Sequence, residues 1–108
     1  MESIPYDKRS GKIWFNGAPI NWSEVKIHVL SHGLHYASCV FEGERVYDGE
    51  IFKLEEHTER LFHSASRMGF KIPYTQELLN KATKDIVAIQ KIKNGYVRPV
   101  AWRGSEMM

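Results

Sequence analysis

Apolar and polar positions alternate in short runs over the first half of the chain and recur at three- and four-residue steps over much of the second. Lys12-Ile13-Trp14-Phe15 is a short, mostly apolar strand candidate, and Asn16-Gly17 after it is the strongest two-residue hairpin signal. The returning strand is expected over residues 18–22. Pro19 places it at an edge, because proline cannot donate to a ladder. Residues 25–30 alternate, with Val25, Ile27 and Val29 opposite Lys26 and His28, which predicts a half-buried strand. Ser31-His32-Gly33 ends that run, and residues 33–37 predict a short turn of helix. Residues 40–47 predict a further strand, joined by Asp48-Gly49 to Glu50-Ile51-Phe52 in a second hairpin.

The period then changes. Leu54, Thr58, Leu61, Phe62, Ala65 and Met68 fall on one face of a helix over residues 54–68. Glu55 and Glu56 sit in its first turn, where the helix dipole favours acids, and Gly69 follows as a stop. Ile72-Pro73-Tyr74 reads as a linker and Thr75 as an N-cap. Leu78, Leu79, Ala82, Ile86, Ile89 and Ile92 form the stripe of a second helix that should end at Asn94-Gly95. Residues 96–102 predict a last strand, with Pro99 at an edge or bulge. Residues 1–11 carry no periodicity and read as a flexible or loosely docked arm. The rest, 12–108, is expected to be one domain of class α+β, with a mostly antiparallel sheet and two helices.

Composition narrows the function classes. A net charge of +2, with Lys and Arg spread along the chain, gives no basic stripe for a phosphate backbone, so nucleic acid is not expected as a partner. No stretch reaches the ~18–20 apolar residues of a membrane span, and the N-terminal run lacks the apolar core of a secretory signal. The lone Cys39 cannot form an internal disulfide, which fits a reducing compartment, so a cytoplasmic protein is expected. Cys39 stands in an apolar run and reads as a small buried hydrophobe rather than a nucleophile. GxGxxG and P-loop patterns are absent from the sequence, which argues against a nucleotide site of those kinds.

Three sets of residues invite chemistry. His28, His32 and His35 have spacings that would suit metal ligation on a helix, but Gly33 and the alternation before it break such a helix. Histidines hydrogen-bonded in a turn are the reading preferred, and no metal is expected. Arg60 lies off the apolar face of the first long helix, about 120° from Leu54, on an edge with His57 and Ser64. It is either a solvated helix arginine or an anion ligand, since a guanidinium fork matches a phosphate. Tyr96 and Arg98 share one face of the last strand, where Arg98 could bind a carboxylate with two parallel bonds. A half-exposed edge strand explains them equally well.

The runs HVLSHGLHYASCVFEGERVY, GxIFKLEEHTERLFHSA and GYVRPVAWRG stand in that order between residues 28 and 104. Together they resemble the small N-terminal domain of branched-chain amino-acid aminotransferases, within the fold-type IV group of pyridoxal-phosphate enzymes. D-amino-acid aminotransferases and aminodeoxychorismate lyases share that fold but lack the HVLSH…HY…VFEG wording. Their activities, and a non-catalytic binding module of the same fold, remain the alternatives. The resemblance implies a transaminase moving the amino group between leucine, isoleucine or valine and 2-oxoglutarate or glutamate. It implies pyridoxal 5'-phosphate as cofactor and a homodimer or higher homo-oligomer.

The resemblance also assigns roles. Arg60 matches the arginine that binds the cofactor's phosphate. Phe41, Tyr96 and Arg98 match residues lining the substrate pocket, and Gly43 a glycine where backbone approaches the substrate. Tyr36 matches a tyrosine that reaches into the neighbouring subunit's site. Arg98, helped by Tyr36, would receive the distal carboxylate of glutamate. Two positions depart from the family's usual wording: Ala37 stands where glycine is common, and Glu44 where isoleucine is common. Glu44 is expected to face away from the pocket, since Gly43 and Arg45 take the other face. The Schiff-base lysine belongs, by the resemblance, to a second, C-terminal domain, and Lys53, Lys71 and Lys81 stand in the wrong contexts to replace it. The chain is therefore expected to be an enzyme fragment, inactive by itself and not expected to retain the cofactor.

Overall fold

A computed structural model of the chain describes residues 3–106. Residues 1 and 2 of the expected arm, and 107 and 108 of the expected domain, lie outside the described residues. Among the described residues, seven strands and three α-helices follow in the order β1 (Lys12–Phe15), β2 (Ala18–Asn21), α1 (His32–Tyr36), β3 (Cys39–Phe41), β4 (Glu44–Tyr47), β5 (Glu50–Ile51), α2 (Leu54–Arg67), α3 (Gln76–Ile89), β6 (Gly95–Val97) and β7 (Val100–Trp102). Every strand pairing is antiparallel, in three small sheets ordered β1-β2, β3-β7 and β5-β4-β6. The class is α+β, as the patterning predicts, with the two long helices and, in α1, the short helical turn expected over residues 33–37.

Both hairpins form where the dipeptides place them. Asn16 and Gly17 have φ of 48° and 107°, and Asp48 and Gly49 have φ of 50° and 80°. Positive φ at both central residues gives the turn twist that matches paired strands. Pro19 lies opposite Trp14 in a two-stranded sheet, where its missing donor costs no ladder bond.

Residues 25–30 are not a strand. They run as irregular chain into a turn, and Ile27, Val29 and Leu30 are exposed. Alternation specifies faces, but a strand also needs a partner, and no ladder partner stands beside this run among the described residues. Nor are residues 40–47 and 96–102 continuous strands. Each breaks once, at Glu42-Gly43 and at Arg98-Pro99, and the breaks face each other across a bond from the Glu42 N–H to the Pro99 carbonyl. The halves fall into two sheets, β3-β7 and β4-β6. Proline's missing N–H and a glycine pressed by the Tyr96 ring together turn the ladder at this point.

The core lies where α2 packs on β3 and β7 and against α3, which also packs on β1. Leu61, Ala65 and Ile72 are buried, with Val40, Phe62, Phe70, Tyr74, Leu79 and Ala101 packed around them. Burying one such aliphatic side chain is worth about 1.5–3 kcal/mol. The Thr75 hydroxyl caps α3 by accepting from the Leu78 N–H. That helix ends earlier than its apolar stripe suggests. Lys91 takes the left-handed conformation, and Lys91 and Ile92 N–H groups turn back to the Ala88 and Val87 carbonyls. Leu78, Ile89 and Ile92, counted in the stripe, are exposed. The N-terminal segment forms a short 3-10 turn over Tyr6–Lys8, and the Trp22 indole N–H donates to the Tyr6 carbonyl.

Candidate active site wall

The turned ladder gathers four of the residues singled out in the sequence. Tyr96 and Arg98 share one face of the chain leaving β6, and the Arg98 Nε and Nη2 each lie 3.3 Å from the Tyr96 hydroxyl oxygen. The Arg98 guanidinium carbon stands 4.6 Å from the Phe41 ring centroid and 5.6 Å from that of Tyr96, so it lies over two aromatic faces. Gly43 sits directly under Tyr96. A Cβ there would come 2.5 Å from the Tyr96 hydroxyl and 3.0 Å from its ring. Phe41, Tyr96 and Arg98 are all exposed, so they form an open wall with two aromatic surfaces and a cation held by its own platform. Hollows of about 430 and 800 Å³ lie elsewhere, the first beside Phe62 and Phe70, the second between Leu54 and Ile92; neither is lined by this wall.

Arg60 is joined to the wall through Glu42, the residue between Phe41 and Gly43. Its Nε lies 2.9 and 3.1 Å from the two Glu42 carboxylate oxygens, and its Nη2 2.7 Å from Oε1. His57, one turn earlier on α2, places Nδ1 2.7 Å from the same Oε1. Glu42 is 5% exposed, whereas the Arg60 side chain is 66% exposed. The Arg60 guanidinium beside Glu42, with help from His57, holds that carboxyl below its ordinary range against the opposing effect of burial. The same pairing raises Arg60. Arg60 is thus neither a free solvated arginine nor a buried one. One edge is occupied, and Nη1 makes no hydrogen bond among the described residues.

Sequence reasoning missed Glu42, and it placed His57 on the Arg60 edge of the helix without giving it a role. The available signal was the i, i+3 spacing of His57 and Arg60, which puts both on one helix edge. Nothing local marks Glu42 as their partner. Glu44, two residues on, is 1% exposed, with Oε1 lacking a hydrogen-bond partner among the described residues. Burial pushes its carboxyl up to about 7, and neighbouring Glu42 adds to that while His57 opposes it.

Tyr36 stands apart from the wall. Its ring packs on His32, at 4.5 Å between centroids, and on His35, and it is exposed. Ala37 after it is left-handed, with φ of 57°, the conformation glycine takes at least cost. The three histidines are engaged in turn contacts. His28 Nδ1 accepts from the Leu30 N–H, His32 Nδ1 pairs with the Ser38 hydroxyl, and His35 Nε2 pairs with the Val29 carbonyl. Cys39 corrects the expectation of a buried hydrophobe. It is exposed, because β3 turns it away from the core that Val40 joins.

A family model described as amino-transferase class IV matches residues 39–108. The chain belongs to that family. It is 46% identical over 108 residues to a probable branched-chain-amino-acid aminotransferase of Rickettsia felis, spanning the whole chain and 37% of that protein. It is 43% identical over 104 residues to the branched-chain-amino-acid aminotransferase of Pseudomonas aeruginosa, covering 93% of this chain and 34% of the relative. The crystal structure of the Escherichia coli branched-chain amino acid aminotransferase superposes with a TM-score of 0.84 at 36% identity, over 89% of this chain and 34% of that one. This class IV aminotransferase chain therefore spans about a third of the length of the relatives it matches. No helix among the described residues is long and apolar enough to cross a membrane.

Proposed function

We propose that residues 12–108 are the small N-terminal domain of a pyridoxal-phosphate-dependent aminotransferase, which moves amino groups between leucine, isoleucine or valine and 2-oxoglutarate. The observation that carries this reading is the wall of Phe41, Tyr96 and Arg98 over Gly43. A branched apolar side chain packs against the two rings. An anionic glutamate side chain takes the Arg98 donors, whose guanidinium already rests on the same rings. One surface then accepts both substrates without burying an unpaired charge, which would be expensive. The names of the relatives support the substrate class.

The donor set of Arg60 fits a cofactor phosphate. It offers forked N–H groups on an exposed side chain of fixed charge, with one edge not taken by Glu42. The cofactor, when bound, supplies the electron sink of transamination. This chain's share is to hold the phosphate through Arg60 and to orient the substrate side chain along the wall. Tyr36, exposed and apart from the wall, is assigned to the neighbouring subunit's site in a homodimer. The Schiff-base lysine lies outside these residues, so the chain alone is inactive. The enzyme works in the cytoplasm, in keeping with its lone exposed thiol.

Transamination from leucine to 2-oxoglutarate, measured on the full-length protein that carries this chain, tests the reading. Activity on D-alanine with none on L-leucine would replace it with the D-amino-acid class. Activity from the isolated 108 residues would overturn the placement of the lysine.

A further inference from the structure

We propose that Glu42 is the positioning residue for Arg60, fixing which edge of the guanidinium is presented to the cofactor phosphate. The proposal rests on the reading of Arg60 as the phosphate ligand. Arg60 projects from α2 with its side chain mostly in solvent, where a long flexible arginine would otherwise sample many rotamers. Glu42 removes that freedom. Its carboxylate takes Nε and Nη2 together, a planar pairing with one solution in space. The carboxylate is itself buried and held on Oε1 by His57. It is also anchored through the backbone, where its N–H bonds to the Pro99 carbonyl at the turn of the ladder. Glu42 therefore ties the orientation of Arg60 to the same corner that sets Gly43 under Tyr96.

Charge alone argues against such a residue. An anionic carboxylate on the far edge of Arg60 reduces the field available to a phosphate. Its presence is explained by geometry: an arginine oriented before the ligand arrives loses less on binding. Nη1 and the outer hydrogen of Nη2 are what remain for an anion.

The experiment compares pyridoxal 5'-phosphate with pyridoxal, which lacks the phosphate, on the full-length protein freed of bound cofactor. Dissociation constants are measured by fluorescence for wild type, Glu42→Gln, Arg60→Ala and the double variant. Glu42→Gln is expected to weaken pyridoxal 5'-phosphate about tenfold, the scale on which losing an outer partner weakens a bound group. Pyridoxal binding should be unchanged, and Glu42→Gln should add no loss in the Arg60→Ala background. The same loss in both backgrounds overturns the proposal, because Glu42 is then not acting through Arg60. Unchanged or tighter binding by Glu42→Gln, with Arg60→Ala impaired, overturns it while leaving the reading of Arg60 intact. Wild-type affinity in Arg60→Ala overturns that reading and this proposal with it. If Glu42→Gln loses pyridoxal as well, Glu42→Asp decides by the same ratio: a phosphate-selective loss supports the proposal and an equal loss for both ligands overturns it.

Discussion

Glu42 and Glu44 are both buried, two residues apart, and their protons are held in opposite directions. Glu42 has Arg60 and His57 as partners and stays ionised. Glu44 has one oxygen without a hydrogen-bond partner among the described residues and keeps its proton to about pH 7. The isoleucine that the resemblance leads one to expect at the second position would fill the same interior place with no charge to desolvate.

Glu44 makes folding stability depend on pH in a defined window. Its carboxyl is neutral in both states below the ordinary 4.5, so it carries no ionisation penalty there. Between 4.5 and about 7 the unfolded chain ionises first, and stability falls as pH rises. The total loss is on the order of 3 kcal/mol. Glu42 has the opposite sign: its contribution is present above 4.5 and is lost as pH falls through its lowered value. Urea denaturation of Glu44→Gln should therefore show a gain over wild type that grows from about pH 5 to about pH 8. A gain that stays constant over that range would disprove the assignment.

Ala37 sits in the left-handed region with a Cβ, at a place where the resemblance expects glycine. The steric penalty there is about 1–2 kcal/mol, partly offset by the larger chain entropy that glycine loses on folding. Ala37→Gly should raise the unfolding free energy by about 0.5–1 kcal/mol. Chemical denaturation checks it, and a destabilised variant would mean that the φ of this residue is set differently in solution.

Arg98→Ala should discriminate between the two kinds of substrate. The guanidinium rests on Phe41 and Tyr96, with Nε and Nη2 at the Tyr96 hydroxyl, so on the proposed reading its removal takes away the partner of an anionic side chain but leaves both rings. A charge-assisted bond is worth about 1.5–3 kcal/mol, which is a loss of roughly tenfold to a hundredfold in kcat/KM for glutamate. Leucine should lose several times less. Steady-state kinetics with both donors gives the ratio, and equal losses would remove Arg98 from the role of carboxylate ligand.

What the sequence made legible was what is encoded locally. Asn16-Gly17 and Asp48-Gly49 carry their own φ preferences, and the stripe from Leu54 to Ala65 needs only the helical period. The failures each depend on a distant partner. Residues 25–30 alternate without a neighbouring strand. Residues 40–47 and 96–102 look continuous until Gly43 and Tyr96 are brought together. Lys91 ends α3 in a conformation its residue type does not announce. Arg60 and Arg98 were drawn out of ambiguity by resemblance, while Glu42 stayed hidden because its partners lie 15 and 18 residues away.

Gly43 gives the sharpest test of whether the wall is a working surface. A methyl group at this position would meet the Tyr96 hydroxyl at 2.5 Å and the ring at 3.0 Å, closer than side-chain carbons approach. Tyr96 is half exposed and is held mainly by Arg98, so it can swing outward instead of straining the core. The fold should then lose less than about 1 kcal/mol, below the usual range for overpacking a closed interior. The cost should fall on the wall, because a displaced Tyr96 gives up its hydrogen bonds with Arg98 and its place under the guanidinium. Gly43→Ala is therefore expected to raise KM for leucine and glutamate alike, by about tenfold, with a near-wild-type denaturation midpoint. Adding Tyr96→Phe removes the atom in closest conflict and should recover part of the loss. A Gly43→Ala variant with unchanged KM for both substrates would mean that the Tyr96 face does not meet the substrate.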